Sequence, residues 1–219
     1  ATWSISPTLP DGLAFSNGVI TGTPTANQTA TSYTITAVNT GGTATVSFDI
    51  TINEPQAALL ISDQTYVRSQ SVSTDVTNTG GAVQEWGISP ALPTGLTFVD
   101  GRISGVPTVN LTSPVTYTVY ANNTGGDTTI TFTITIHEPS AVLSIGDQTY
   151  SRDVSVGTVT VNNSGGQVVD WGIHPVLPSG LIFANGVISG TPSVNMTTTE
   201  YTVYANNSGG DSFIRLDIT

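Results

Sequence analysis

The sequence predicts an all-β chain of small antiparallel sandwich domains in series, on three observations. The stretch GLAFSNGVITGTP, residues 12–24, returns as GLTFVDGRISGVP from Gly95 and as GLIFANGVISGTP from Gly180. Apolar and polar residues alternate with period two in runs such as Tyr117-Thr-Val119-Tyr-Ala121 and Ile130-Thr-Phe132-Thr-Ile134, the spacing of a half-buried strand. No segment carries helical periodicity.

The repeated stretch reads as turn, strand, turn, strand. Asn17-Gly18, Asp100-Gly101 and Asn185-Gly186 supply the two left-handed positions of a two-residue type I′ hairpin. Counting outward from the turn sets Phe15 opposite Ile20, Phe98 opposite Ile103 and Phe183 opposite Ile188, so the large side chains share one face. Ahead of it, Leu-Pro-x-Gly-Leu at 9–13, 92–96 and 177–181 fits a type I turn with Pro second and Gly fourth. Further along, Asn122-Asn-Thr-Gly-Gly126 and Asn206-Asn-Ser-Gly-Gly210 lie between two alternating runs as hairpin loops. About seven such strands per unit make a two-sheet sandwich.

Trp3, Trp86 and Trp171 stand 83 and 85 residues apart. That period is too long for solenoid repeats and suits small domains that each hold a core. The divisions fall at 1–55, 56–139 and 140–219. Pro55 and Pro139 mark the linkers and restrict the chain there, which favours a semi-rigid series. The second and third units open with Ile61-Ser-Asp63-Gln-Thr-Tyr66 and Ile145-Gly-Asp147-Gln-Thr-Tyr150, whereas the first starts at its Trp. It thus lacks two strands. Either this is a window on a longer array, or the open edge takes a strand from another chain, giving self-association into fibres.

Composition excludes several function classes. Fifteen acidic residues against four basic ones, all arginine, give a net charge of -11. Such a chain repels nucleic acid and anionic lipid. Without cysteine there is no disulfide or thiolate chemistry, and without lysine no isopeptide or Schiff-base chemistry. No apolar run is long enough to span a bilayer.

Together, Trp-x-Ile-x-Pro-x-Leu-Pro-x-Gly-Leu-x-Phe, the Asn/Asp-Gly turn, Ile-Ser/Thr-Gly-Thr/Val-Pro, Tyr-Thr-Val/Ile and the Gly-Gly hairpin resemble the immunoglobulin-like domains of bacterial and archaeal surface proteins, relatives of the dystroglycan-type cadherin-like modules. The resemblance covers essentially the whole chain, departing at Val106 and in the shortened first unit. It implies tandem Ig-like sandwiches in secreted or cell-surface proteins, and it carries over no catalytic residue.

The candidate sites follow. His137 and His174 occupy positions held elsewhere by Asn53 and by Ser6 and Ser89, so no imidazole chemistry is shared between units, and no nucleophile, base and orienter assemble around either. Trp3, Trp86 and Trp171 are expected in the core rather than as sugar platforms. Glu54, Asp63, Glu138 and Asp147 recur at the junctions, with Asp127 and Asp211 beside the Gly-Gly hairpins. They read as solvated acidic surface, or alternatively as oxygen ligands for interdomain calcium, which wants six to eight oxygens. Six Asn-x-Ser/Thr sequons, at Asn27, Asn110, Asn122, Asn162, Asn195 and Asn206, are candidates for N-glycosylation. Of these, Asn27, Asn110 and Asn195 fall in phase.

The expected protein is a non-enzymatic segment of an extracellular stalk or filament, whose partners are further Ig-like domains of the same protein. A multivalent adhesin binding a glycan or protein ligand through its repeated loops is the alternative, and a spacer on a secreted enzyme is a third.

Overall fold

The computed structural model describes every residue, Ala1–Thr219, and forms twenty-two strands and no helix. By contact density it divides into two compact units. One comprises Ala1–Ile61, Val76–Gly87 and Val119–Ile130, and the other Ser62–Asp75, Ile88–Thr118 and Thr131–Thr219.

In the first unit, strand Gln28–Asn39 lies between Thr2–Ser6 and Gly42–Ile52. Its register sets Ile5 against Ile35 and Tyr33 against Phe48, so alternate residues turn inward and Tyr33 is almost wholly buried. A register shift between Gln28 and Thr31 marks a bulge. The short hairpin Leu13–Ser16 with Val19–Gly22 pairs Phe15 with Ile20, as the turn chemistry predicts. A separate pair joins Leu59–Leu60 to Thr77–Asn78.

The second unit contains the third sequence copy whole. There Thr199–Asn207 runs between Asp170–His174 and Gly210–Ile218, Val187–Gly190 runs between Thr158–Thr160 and Leu181–Ala184, and Leu143–Ser144 pairs with Asn162–Asn163. Val161, Leu181, Ile188, Tyr201, Val203 and Leu216 close the core between them. Burying apolar surface, at roughly 25 cal/mol per Å², drives this packing. Phe98 faces Ile103 and Phe183 faces Ile188, again as predicted.

At the predicted turns both Asn17 and Gly18, Asp100 and Gly101, and Asn185 and Gly186 have positive φ. The upstream turn departs from expectation. Leu13, Leu96 and Leu181 donate to the carbonyls of Pro10, Pro93 and Pro178, so the turn starts at the proline and puts Gly12, Gly95 and Gly180 third, at φ 87°, 95° and 91°. A type I turn has no left-handed third residue. The reason is contact: a Cβ on Gly95 would stand 1.9 Å from the Val106 carbonyl oxygen. The peptide bonds before Pro7, Pro90 and Pro175 are cis.

Two further expectations are corrected. Not every strand is antiparallel, because Gln64–Val67 pairs parallel with Ile134–His137. The opening strand thereby leaves its first antiparallel partner and continues beside the last strand. Nor are the tryptophans at the centre of the core. Trp3 is 41% exposed, Trp86 and Trp171 are half-buried, and each of Trp3 and Trp171 lies against the turn glycine of its hairpin, Gly18 or Gly186. The indole covers a hairpin end; Trp171 also meets Phe183 edge-on at 6.4 Å and packs against the core from its margin.

The repeat junction as candidate functional site

The segments Glu-Pro-Gln-Ala-Ala at 54–58 and Glu-Pro-Ser-Ala-Val at 138–142, just beyond the strands that end at Ile52 and His137, carry a repeated set of hydrogen bonds. Proline at the second place has no N–H to lose, and every other backbone group needs a partner if it is buried.

In the first unit, Glu54 N donates to Thr124 Oγ1 at 2.8 Å, Asn123 Nδ2 donates to Pro55 O at 2.9 Å, and Ala58 N donates to Asn78 Oδ1 at 2.9 Å. Gly81 N donates to Gln56 O, and Thr128 Oγ1 to Ala57 O. The second unit repeats the set. Glu138 N donates to Ser208 Oγ at 2.8 Å, Asn207 Nδ2 to Pro139 O at 2.9 Å, Gly166 N to Ser140 O, Ser212 Oγ to Ala141 O, and Val142 N to Asn163 Oδ1 at 3.0 Å. Asn123 and Asn207 are 5% and 6% exposed, and each also accepts its own loop's N–H, from Gly125 and Gly209.

The repeated glycine pairs make this approach possible. A Cβ on Gly81 or Gly166 would stand 2.0 or 1.9 Å from the carbonyl oxygen of Pro55 or Pro139, and one on Gly125 or Gly209 2.2 or 2.1 Å from that of Glu54 or Glu138. The linker is therefore wedged between two glycine-faced loops.

The junction glutamate points the other way, back into the copy it leaves. Arg68 grips Glu138 bidentately, Nε to Oε1 at 3.0 Å and Nη2 to Oε2 at 2.6 Å. Asn110 Nδ2 adds a bond to Oε1 at 2.6 Å. With only 6% of Glu138 exposed, these donors stabilise the charge that burial disfavours. The Arg68 hydrogen bond, followed by the Asn110 bond, the Arg68 charge and a backbone bond from Gln167, holds the carboxyl below the usual glutamate range against the opposing effect of burial. Glu54 accepts one side-chain hydrogen bond, from Asn27 Nδ2 at 2.7 Å.

The predicted residues thus have definite places. Glu54 and Glu138 serve the junction, while Asp63 and Asp147 accept the N–H of Thr133 and Asp217 at 2.7 and 2.9 Å, beside the incoming strand. No three His, Asp or Glu side chains converge into a group that could hold a metal ion. All six sequon asparagines are exposed. However, the amide nitrogens of Asn27 and Asn110 are the donors to Glu54 and Glu138, those of Asn122 and Asn206 donate to Asp127 and Asp211, and the sequon hydroxyls of Thr124 and Ser208 accept the junction N–H. Sequence reasoning missed the Arg68 and Asn110 clamp, buried Asn123 and Asn207, and the docking role of the glycine pairs. The signal present was the in-phase return of Thr/Ser-Gly-Gly twice per period.

Fold and junction together define a tandem array of immunoglobulin-like sandwiches. The chain belongs to the family described as "Putative Ig domain", which matches residues 1–53, 54–137 and 138–219. Among curated proteins it is similar to the serine-rich adhesin for platelets of Staphylococcus aureus, 36% identical over 129 residues, 55% of this chain and 6% of that protein. The counterpart in strain MRSA252 matches at 36% over 55% of the chain and 9% of the relative; the chain spans under a tenth of these relatives. Among solved structures it is similar to the insect immune protein hemolin, TM-score 0.50 and 14% identity, covering 100% of this chain and 66% of that one. The family and the adhesin relatives place the segment outside the cell or on its surface. No helix is long and apolar enough to cross a membrane.

Proposed function

We propose that the chain is a non-enzymatic structural segment of an extracellular stalk, divided at 1–55, 56–139 and 140–219, in which each junction is a lock between serial Ig-like domains. One observation carries this reading: Glu138 gives its side chain to Arg68 and Asn110 of the copy before it and its backbone N–H to Ser208 of the copy after it. A linker bonded in both directions resists bending where a free one would act as a hinge. The exposed acidic surface, with a glycan at Asn162 where the host supplies one, keeps the segment soluble. Small-angle scattering of residues 56–219, compared with a Glu138→Ala and Arg68→Met double variant, tests the lock. Unchanged flexibility in the double variant would overturn it.

The adhesin reading draws on the platelet-adhesin relatives. It requires the exposed hairpin loops to bind a glycan or protein ligand, and array screening of residues 1–219 that finds a saturable ligand would favour it over the stalk.

A further inference from the structure

The outer face of one sheet differs between copies where nothing in the fold requires it. Across the strands Asp170–His174, Thr199–Asn207 and Gly210–Ile218, Gly172 stands against Tyr204 and Tyr204 against Phe213. Their neighbours along the strands, Val203 and Ala205, are buried, so this row faces solvent; Tyr204 is 46% and Phe213 68% exposed. A Cβ on Gly172 would meet nothing within 4 Å, which leaves open floor beside the Tyr204 ring. The same row in the first copy is Ser4, Thr36 and Thr45, and the repeat period places Gly87, Tyr120 and Thr129 there in the second. A sheet of this fold therefore forms with hydroxyls at these places, and the aromatic pair is not what holds it together. Tyr120 is likewise 45% exposed, so openness at this place belongs to the repeat and not to the third copy's position in the chain.

Charge selects the occupant. On one side of the aromatic row lie Asp170, Asn206 and Asp211 in register, and on the other, beyond His174, Thr202 and Arg215, lie Glu200 and Asp217. Glu200 and Asp217 are direct cross-strand partners, a like-charge pairing that costs a sheet stability. Arg215 relieves only Glu200, at 3.4 Å in an exposed pair, which contributes little. Four carboxylates against one guanidinium thus flank two exposed rings. We propose that this face docks an extended basic segment of a different protein, an apolar side chain lying on Tyr204 and Phe213 and an arginine or lysine reaching the carboxylates on each side. Rings attract cations over their faces, and complementary charge fixes register and speeds encounter. Asp211 and Asp217 are six residues apart on one strand, about 20 Å at strand spacing. On the side-chain period of two, a matching segment therefore carries cations at its first and seventh residues and the apolar group at its third. A neutral sugar stacks on rings but draws nothing from unpaired carboxylates. A second copy of this chain is repelled by its net charge of -11, and its four arginines are already paired. The stalk reading does not depend on this surface, since the scattering comparison touches neither Tyr204 nor Phe213.

The test titrates the capped peptide acetyl-Ser-Arg-Thr-Leu-Thr-Ser-Thr-Arg-Ser-amide into the full chain at millimolar concentration, following backbone amide and aromatic resonances. The expected result is saturable shifts centred on Gly172, Tyr204 and Phe213, with affinity that falls as salt rises. Replacing both peptide arginines by glutamine, or making Phe213→Thr, should weaken binding roughly tenfold or more, the factor that 1.4 kcal/mol represents. Phe213→Thr installs the residue that the second copy carries at this place, and Tyr204→Thr the residue of the first, so both variants are expected to keep a folded spectrum. Should one of them lose it, the other carries the test. Four results would each overturn the proposal: no saturable shift, equal binding of the glutamine peptide, binding that survives both aromatic variants, and binding of maltohexaose to the same resonances more tightly than the peptide. The third would reduce the effect to general attraction by an acidic chain, and the fourth would make the face a platform for neutral glycan.

Discussion

At the scale of the residue, Glu138 illustrates how a buried charge is tolerated. Its folded pKa lies below the unfolded value of about 4.3. The stability it contributes is therefore fully present above that value and is lost as pH falls through the depressed folded pKa. Calorimetry of residues 1–219 from neutral pH down to below 4 should show the wild-type melting temperature converging on that of Glu138→Gln. At neutral pH the variant should be less stable by roughly 1.5–3 kcal/mol, the range for hydrogen bonds to a charged group; a constant gap across the range would show that the charge is not held. Asn-Gly turns were legible in the sequence because their chemistry is complete within two residues. The Glu138 clamp was not, because Arg68 and Asn110 lie 70 and 28 residues away and nothing local distinguishes them from solvated residues. The same holds for Asn110 as a sequon: the motif was legible, but the bond to Glu138 that competes for its amide was not.

At the scale of the element, the glycines divide by what their missing side chain would touch. Gly166→Ala drives a methyl to within 1.9 Å of the Pro139 carbonyl oxygen, and backbone cannot rotate away as a side chain can. The expected loss is at least the 1–3 kcal/mol typical of overpacking. Gly146→Ala meets nothing within 4 Å and has no left-handed φ, so urea denaturation should place it within about 0.5 kcal/mol of wild type. If both variants melt alike, the wedge between the loops is not what those glycines supply. Hairpins and alternating strands were readable because pairing across a tight turn follows from register alone, as Phe183 and Ile188 show. The parallel strand Gln64–Val67 was not readable, since its partner Ile134–His137 is set by the fold around it. The proline turn was misplaced by one residue for a related reason: the contact that demands glycine at position 95 comes from Val106, across the hairpin.

At the scale of the whole molecule, the compact units cut through the middle family match rather than following the boundaries at 53 and 137. Within each unit the junction is bonded as closely as the strands, so the linker behaves as part of a domain interior. The four arginines are each paired with a carboxylate, at Glu138, Asp75, Asp153 and Glu200. Most of the fifteen acidic residues therefore face solvent without a cationic partner, and the net charge opposes association of one chain with another at low salt. Calcium is the natural suspect to neutralise such a surface, yet the junction carboxylates already accept from protein donors, Glu54 from Asn27, Asp63 from Thr133, Glu138 from Arg68 and Asp147 from Asp217. A cation that bound the folded chain specifically would raise its stability in proportion to the logarithm of its concentration, and six to eight oxygens would have to gather to hold it. Thermal melts in millimolar calcium, in chelator, and in sodium chloride of matched ionic strength are expected to superimpose once screening is equal. A melting temperature that climbs with calcium beyond the matched salt control would mean that the junction carboxylates rearrange to ligate it, and that stiffness in this array comes from an ion rather than from the Glu-Pro lock.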